Sequence, residues 1–163
     1  MSISDALAGL GRRYAFNERV LAAASEGFSD ADWARPPGPH GGNCAHWLLA
    51  HLVRTRRELL RALGEDAARE AWEGGYGRGS TSVLHAETPA PATLAGEFAR
   101  QGARLAERLA TLSPEHADRP FLYPLPDGGR SLADGAHFLY FHETYHLGQI
   151  GLLRRIGGKA GFI

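Results

Sequence analysis

Apolar residues recur along this chain at steps of three and four, the period of a helix with one buried face, in four stretches separated by segments dense in glycine and proline. In the first, from Ser2 to about Ser25, Ile3, Leu7, Leu10, Tyr14, Asn17 and Leu21 fall on one side, and Ser2 with Asp5 has the spacing of a capping box. The segment Arg35-Pro36-Pro37-Gly38-Pro39-His40-Gly41-Gly42 stops any helix, because proline lacks the amide donor and glycine loses the most entropy on ordering. Asn43 is the expected N-cap of a second helix whose inner stripe is Cys44, Leu48, His51, Thr55 and Leu59, ending at Gly64.

Residues 64–90 read as a long connector. Glu65 to Trp72 has the makings of a short helix, and Gly74-Gly75-Tyr76-Gly77-Arg78-Gly79 interrupts regular structure. A third helix, from about Ala92 to Leu112, places Leu94, Phe98, Gln101, Leu105, Leu109 and Leu112 on one side. The loop from Ser113 to Arg130 carries Pro114, Pro120, Pro124 and Pro126 and a turn at Asp127-Gly128-Gly129. The fourth helix runs from Ser131 to about Ile156 and stops at Gly157-Gly158. No strand-like alternation of useful length intervenes, so the expected fold is all-α, a single-domain four-helix bundle spanning residues 1–163.

Composition agrees with one domain: 163 residues, 44% of them apolar, supply one well-buried core. Eighteen Lys and Arg balance eighteen Asp and Glu, so there is no basic field to draw in nucleic acid or an anionic membrane surface. No apolar run approaches the roughly 20 residues that span a bilayer, and the opening MSISDALAGLGRR lacks the pattern of a leader. The single cysteine, Cys44, cannot form an internal disulfide. A cytoplasmic protein is expected.

Candidate chemistry is concentrated in the fourth helix, in Tyr140-Phe141-His142-Glu143-Thr144-Tyr145-His146-Leu147-Gly148-Gln149. Histidines four apart share a face one turn apart and can converge on one ion. Phe138, Leu139 and Leu153 extend that face, which predicts that His142 and His146 point into the core, where an unpaired polar ring is costly. His142 to His146 also spells H-E-x-x-H, in which Glu143 would activate a metal-bound water for peptide hydrolysis. Zinc peptidases of that kind take a third ligand from further along, yet LGQIGLLRRIGGKAGFI holds no His, Asp or Glu. The peptidase reading is set aside, and Glu143 is expected on the flank, paired with an arginine.

A third ligand must then come from upstream. His40, His85 and His116 lie in or beside loops, and His137, five residues before His142, is rotated away. His46 and His51 share the second helix but not a face, and it is His51 that falls in the core stripe. A lone histidine there is by itself more often a satisfied core residue. Opposite a histidine pair it becomes the candidate third ligand.

With Trp47 and Ala50-His51-Leu52 on the second helix, and His142-x-x-x-His146-Leu147-Gly148-Gln149-Ile150 followed by Leu152-Leu153-Arg154-Arg155 and Gly157, the chain resembles the DinB/YfiT-like superfamily of metal-binding four-helix bundles. Asn17-Glu18-Arg19-Val20-Leu21 and Ser29-Asp30-Ala31-Asp32-Trp33 fit the same pattern. The resemblance implies an up-down-down-up bundle, which the connector between helices two and three allows, a metal triad of His51, His142 and His146, and a homodimer. It implies no role for Glu143 in catalysis. Enzymes of the family include thiol transferases, a thiol-dependent isomerase and hydrolases, so it does not choose a reaction.

Three neutral imidazoles leave a fourth position open, as in a catalytic metal site, and suit zinc or nickel among the divalent transition metals. Such an ion lowers the pKa of bound water towards about 7 or holds a thiol as thiolate. The expected function is therefore that of a metal-dependent enzyme acting on a small-molecule electrophile, a transferase using a low-molecular-weight thiol ahead of a hydrolase. A bundle with a purely structural metal and a partner-binding role is the non-enzymatic alternative. Gln149, one turn beyond His146, is a candidate catalytic, ring-supporting or substrate-contacting residue, with Tyr14 and Asn17 as possible site walls. Residues 64–90 would cover the site as a lid or merely link two helices.

Overall fold

The computed structural model describes residues 2–162. The chain forms α1 (Ile3–Ser25), α2 (Asp30–Ala34), α3 (Ala45–Ala62), α4 (Pro91–Ala110), α5 (Pro114–Ala117) and α6 (Leu132–Ile156), with a 3-10 helix at Ala71–Tyr76 inside the connector. The four long helices, α1, α3, α4 and α6, are the four read from periodicity. Among the described residues the nearest thing to a strand is a single backbone bridge between Pro120 and Ser131, and no helix is long and apolar enough to cross a membrane.

Helix starts follow local chemistry. Ser2 and Asp5 close a capping box on α1, and Ser131 with Asp134 does the same for α6. Asn43 does not cap α3. Cys44 has the extended backbone of a cap and its Sγ accepts from the Trp47 amide at 3.5 Å, while the Asn43 side chain accepts instead from Ser82. α4 begins one residue earlier than its periodicity suggested, because Pro91 takes the first helical position, where its fixed φ and missing N–H cost nothing. The glycine run after Glu73 does not abolish order either: Gly74 and Gly75 lie inside the 3-10 helix, whereas most of the Glu65 to Trp72 segment expected to be helical is irregular.

Contacts fix the helix directions. Gly11 of α1 meets Ala106 of α4, where a Cβ would stand 2.9 Å from the Ala106 Cα, and Gly102 meets Tyr14 and Ala15, so α1 and α4 run antiparallel. The Tyr14 hydroxyl donates to the Ala136 carbonyl at 2.8 Å and Asn17 reaches Glu143, so α1 and α6 run parallel. Leu59, Leu60 and Leu63 cluster with Leu132, Ala136 and Leu139, whereas Trp47, Leu48 and Leu52 cluster with Leu147, Ile150 and Leu153, which makes α3 antiparallel to α6. The result is an up-down-down-up bundle in which α1 and α3 each pack on both α4 and α6.

Charge sits at the centre of this bundle. Arg56 is 1% exposed and makes a two-pronged ion pair with Glu143, Nε to Oε2 and Nη2 to Oε1, both 2.7 Å. Its remaining donors go to the carbonyls of Tyr14 and Phe98, and its guanidinium lies 3.4 Å from the Phe98 ring centre. Asn17 donates to Glu143 Oε1 at 2.7 Å. All four long helices meet at this one arginine. Gly102 makes the reach possible, since a Cβ there would come within 2.8 Å of Arg56 Nη1.

Candidate metal centre

The second-helix stripe is buried as its spacing predicts, with Cys44, Leu48, His51, Thr55 and Leu59 all inside. α6 differs from the expectation. Its buried face runs through Leu139, Glu143, Leu147 and Ile150, so Glu143 is a core residue at 2% exposure and not a flank residue, although its partner is an arginine as expected. His142 and His146 lie beside that face, half-buried, at the edge of a cavity between α3, α6 and the connector. They therefore face an open space and not the packed core.

The rings of His51, His142 and His146 converge. Their Nε2 atoms stand 3.0 Å apart for His51 with His142 and 3.0 Å for His142 with His146. Two nitrogens bound at 2.0–2.1 Å to one ion stand roughly 3–3.4 Å apart, so the spacing fits a shared metal. Ring orientation argues the same way. His51 Nδ1 donates to the Tyr76 carbonyl at 2.7 Å, and His146 Nδ1 meets Gln149 Oε1 at 2.6 Å. An oxygen that only accepts requires the proton on Nδ1, which leaves Nε2 of both rings with a bare lone pair aimed at His142. One proton on His142 Nε2 satisfies only one of them. His142 Nδ1 is itself buried with no partner among the described residues. A cation at the convergence point accounts for all three lone pairs.

Electrostatics prepare the rings as ligands. Burial pushes His51 down to about 4, against the hydrogen bond to Tyr76, with His146 and Arg54 adding to the depression. Burial and then the other two rings push His142 down to about 3, and burial lowers His146 against its bond to Gln149. Neutral imidazole is the metal-binding form. Because folding lowers these pKa values from 6.5, protonation favours the unfolded chain. The associated stability is complete above about pH 6.5 and is lost as pH falls towards 4 and then 3. Melting of EDTA-treated protein is expected to drop over that range, and to drop less in a His51→Ala/His142→Ala variant; equal slopes would contradict the assignment.

Neighbours hold the three rings in place. Trp47 stacks on His51 with ring centres 5.2 Å apart and planes 16° from parallel, and its Nε1 donates to the Thr81 carbonyl at 3.1 Å. Gln149 supports His146 and does not line the cavity. Gln149→Ala is expected to weaken metal affinity about 10–100-fold with the fold intact, as loss of a ligand's orienting partner does, read by competition with a chromogenic chelator. Tyr14 and Asn17 are not site walls: both are buried against α6 and neither lines the cavity. Both Glu143 oxygens are engaged by Arg56 and Asn17. His40, His85, His116 and His137 are exposed and lie outside the cluster, and half-buried His46 donates from Nε2 to the Pro89 carbonyl at 2.8 Å.

The DinB superfamily model matches residues 13–150, most of the chain. The chain belongs to the DinB superfamily. No curated protein matches it. Among solved structures, YfiT from Bacillus subtilis, described as a probable metal-dependent hydrolase with an unusual four-helix bundle topology, aligns with a TM-score of 0.72 at 19% identity. The alignment covers 98% of this chain and 91% of the YfiT chain. At that identity the likeness establishes the shared fold.

Beside the three histidines lies a cavity of about 960 Å³. Sequence reasoning missed most of its lining. Trp47 and Arg54 were within reach, lying four residues before and three after His51 on one helical face. Arg78, Ser80, Ser82 and Tyr123 come from segments without periodicity, and nothing in their spacing announces them. Gly77, Arg78, Gly79, Ser80 and Ser82 of the connector form a wall of the cavity.

Proposed function

We propose that this chain is a metal-dependent hydrolase of small molecules, with His51, His142 and His146 holding a divalent transition metal, zinc or nickel, beside the cavity. The observation that carries the reading is the convergence of three imidazole nitrogens, two of them bare by virtue of their Nδ1 partners, at the edge of a cavity that leaves the fourth side open. An ion bound there would supply Lewis acidity, lowering the pKa of a small nucleophile towards neutrality and polarising the group to be attacked. The chain's own part is positioning. Tyr76, Gln149 and Trp47 fix the ligand rings, and Tyr123, Phe138 and Leu139 give the substrate an apolar wall. Cys44 is buried at the start of α3 and does not line the cavity, so its thiol supplies no nucleophile there. The description of YfiT as a metal-dependent hydrolase supports the same reading.

A second reading, a transferase in which the ion activates a low-molecular-weight thiol, is favoured by the cavity volume, which has room for a co-substrate beside the electrophile. Turnover of chromogenic esters, amides and phosphoesters by zinc- or nickel-loaded protein, absent after EDTA treatment and in His142→Ala, is the expected result. Failure across that panel, with metal-dependent consumption of a thiol and an electrophilic chloroarene, would move the assignment to the transferase. A tightly bound metal with neither activity would leave a structural staple.

A further inference from the structure

The charged groups around the cavity are unbalanced. Of those lining it besides the histidines, Arg54 and Arg78 are cationic and Glu58 is anionic. Glu58 accepts from Arg54 Nη2 at 2.7 Å, which leaves the other donors of that guanidinium available. Arg78 is exposed and makes no hydrogen bond or ion pair among the described residues. The two arginines arrive from different elements and line the same cavity. The Arg54 guanidinium lies flat against that residue, with Nη2 3.5 Å and Cζ 3.6 Å from where a Cβ would stand, and Arg78 is the next residue. Burial and then Glu58 push the Tyr123 hydroxyl up, against Arg54 and Arg78, which places all three charged groups near this ring on the opposite loop.

The turn that presents Arg78 is built and not loose. Ser80 donates to the Gly77 carbonyl at 2.6 Å, Trp47 holds the Thr81 carbonyl, and the Tyr76 carbonyl is the partner of His51. One short backbone segment therefore positions a metal-ligand candidate at one end and an unpaired guanidinium at the other. A guanidinium presents a planar fork of donors that matches a carboxylate, and a pocket that offers an uncompensated one selects ligands carrying that group.

We propose that the cavity takes a carboxylate-bearing substrate, its carboxylate seated on Arg78 and the free edge of Arg54 while its reacting group faces the three histidines. This deepens the proposed function and rests on the reading of the cavity as the substrate site. The body of the substrate lies against Tyr123, Phe138 and Leu139 and is small and apolar.

The test uses cobalt-loaded protein and graded thiol acids, mercaptoacetate, mercaptopropionate and mercaptohexanoate, each beside its primary amide. Thiolate-to-cobalt absorbance reads binding at the ion, independent of turnover. At the chain length that spans the cavity, the acid is expected to bind on the order of tenfold more tightly than the amide, with the preference lost in Arg78→Gln and partly kept in Arg78→Lys. Equal binding of acid and amide at every length, or a preference unchanged in both Arg78→Gln and Arg54→Gln, would overturn the proposal. Failure of the protein to take up cobalt would instead refute the metal assignment. Calorimetry of the metal-free protein with hexanoate and hexanamide then decides the carboxylate question: a preference lost in Arg78→Gln supports it, and no preference overturns it.

Discussion

Glu143→Ala lowers the stability of the fold by about 3–5 kcal/mol, the largest effect expected of any single substitution near the site. The cause is a stranded charge. Arg56 is 1% exposed and enclosed by Tyr14, Phe98 and Gly102, so its guanidinium has no route to water once its carboxylate partner is gone. Breaking one half of a buried pair costs far more than the pair contributes relative to an apolar replacement. Arg56→Met combined with Glu143→Leu should therefore recover much of the loss. Denaturant titration of the single and double variants measures both numbers, and a single variant within about 1 kcal/mol of the parent would show that the pair is not closed off from solvent. Glu143→Gln keeps the shape and part of the hydrogen bonding. Metal retained with turnover abolished in its folded form would restore to Glu143 the water-activating role that its engagement with Arg56 and Asn17 argues against.

His51→Ala has the opposite signature: metal lost, fold kept. The substitution removes the α3 contribution to a cluster otherwise carried by α6, and two imidazoles on one helix hold an ion far less tightly than three. Metal analysis is expected to fall from about one equivalent per chain to near none. In metal-free protein the penalty should be about 1–3 kcal/mol, since a buried ring and its hydrogen bond to Tyr76 are lost but the space it leaves opens onto the cavity and not into the packed core. Metal-loaded protein loses in addition whatever stability the ion supplied by binding the folded state. A collapse of the metal-free fold would mark His51 as a core residue first, and equal, near-zero metal in parent and variant would remove the metal centre altogether.

The fold was legible because each long helix is amphipathic over five turns or more and is bounded by caps, glycines and prolines. The three histidines were legible for a narrower reason. His51 falls in an otherwise apolar stripe, and His142 and His146 share a face. What misled the reading was the angular position of that face. Phe138 and Leu139 are adjacent, and assigning His142 to the same core face as both shifted the buried stripe by one residue. Leu139, Glu143 and Leu147 stand at four-residue steps, and that spacing marks Glu143 as the buried member. Arg56, between Leu52 and Leu60 at the same step, carries the matching signal. The Tyr76 carbonyl and the cavity wall at residues 77–82 had no such signal. They arise from where an irregular connector lands on α3, a matter of tertiary contact and not of local sequence.

The bond from His51 to the connector ends on a backbone carbonyl. The oxygen belongs to the backbone, and its place is set by the Tyr76 side chain, which is fully buried and bonded to Thr88. What ties the three histidines to the cavity wall is therefore backbone on the connector side, the carbonyls of Tyr76 and Thr81, and not the side chains of residues 77–82. Segment 77–82 can be rewritten, by evolution or by grafting, to change what enters the cavity while the helices beneath go on presenting the same three nitrogens.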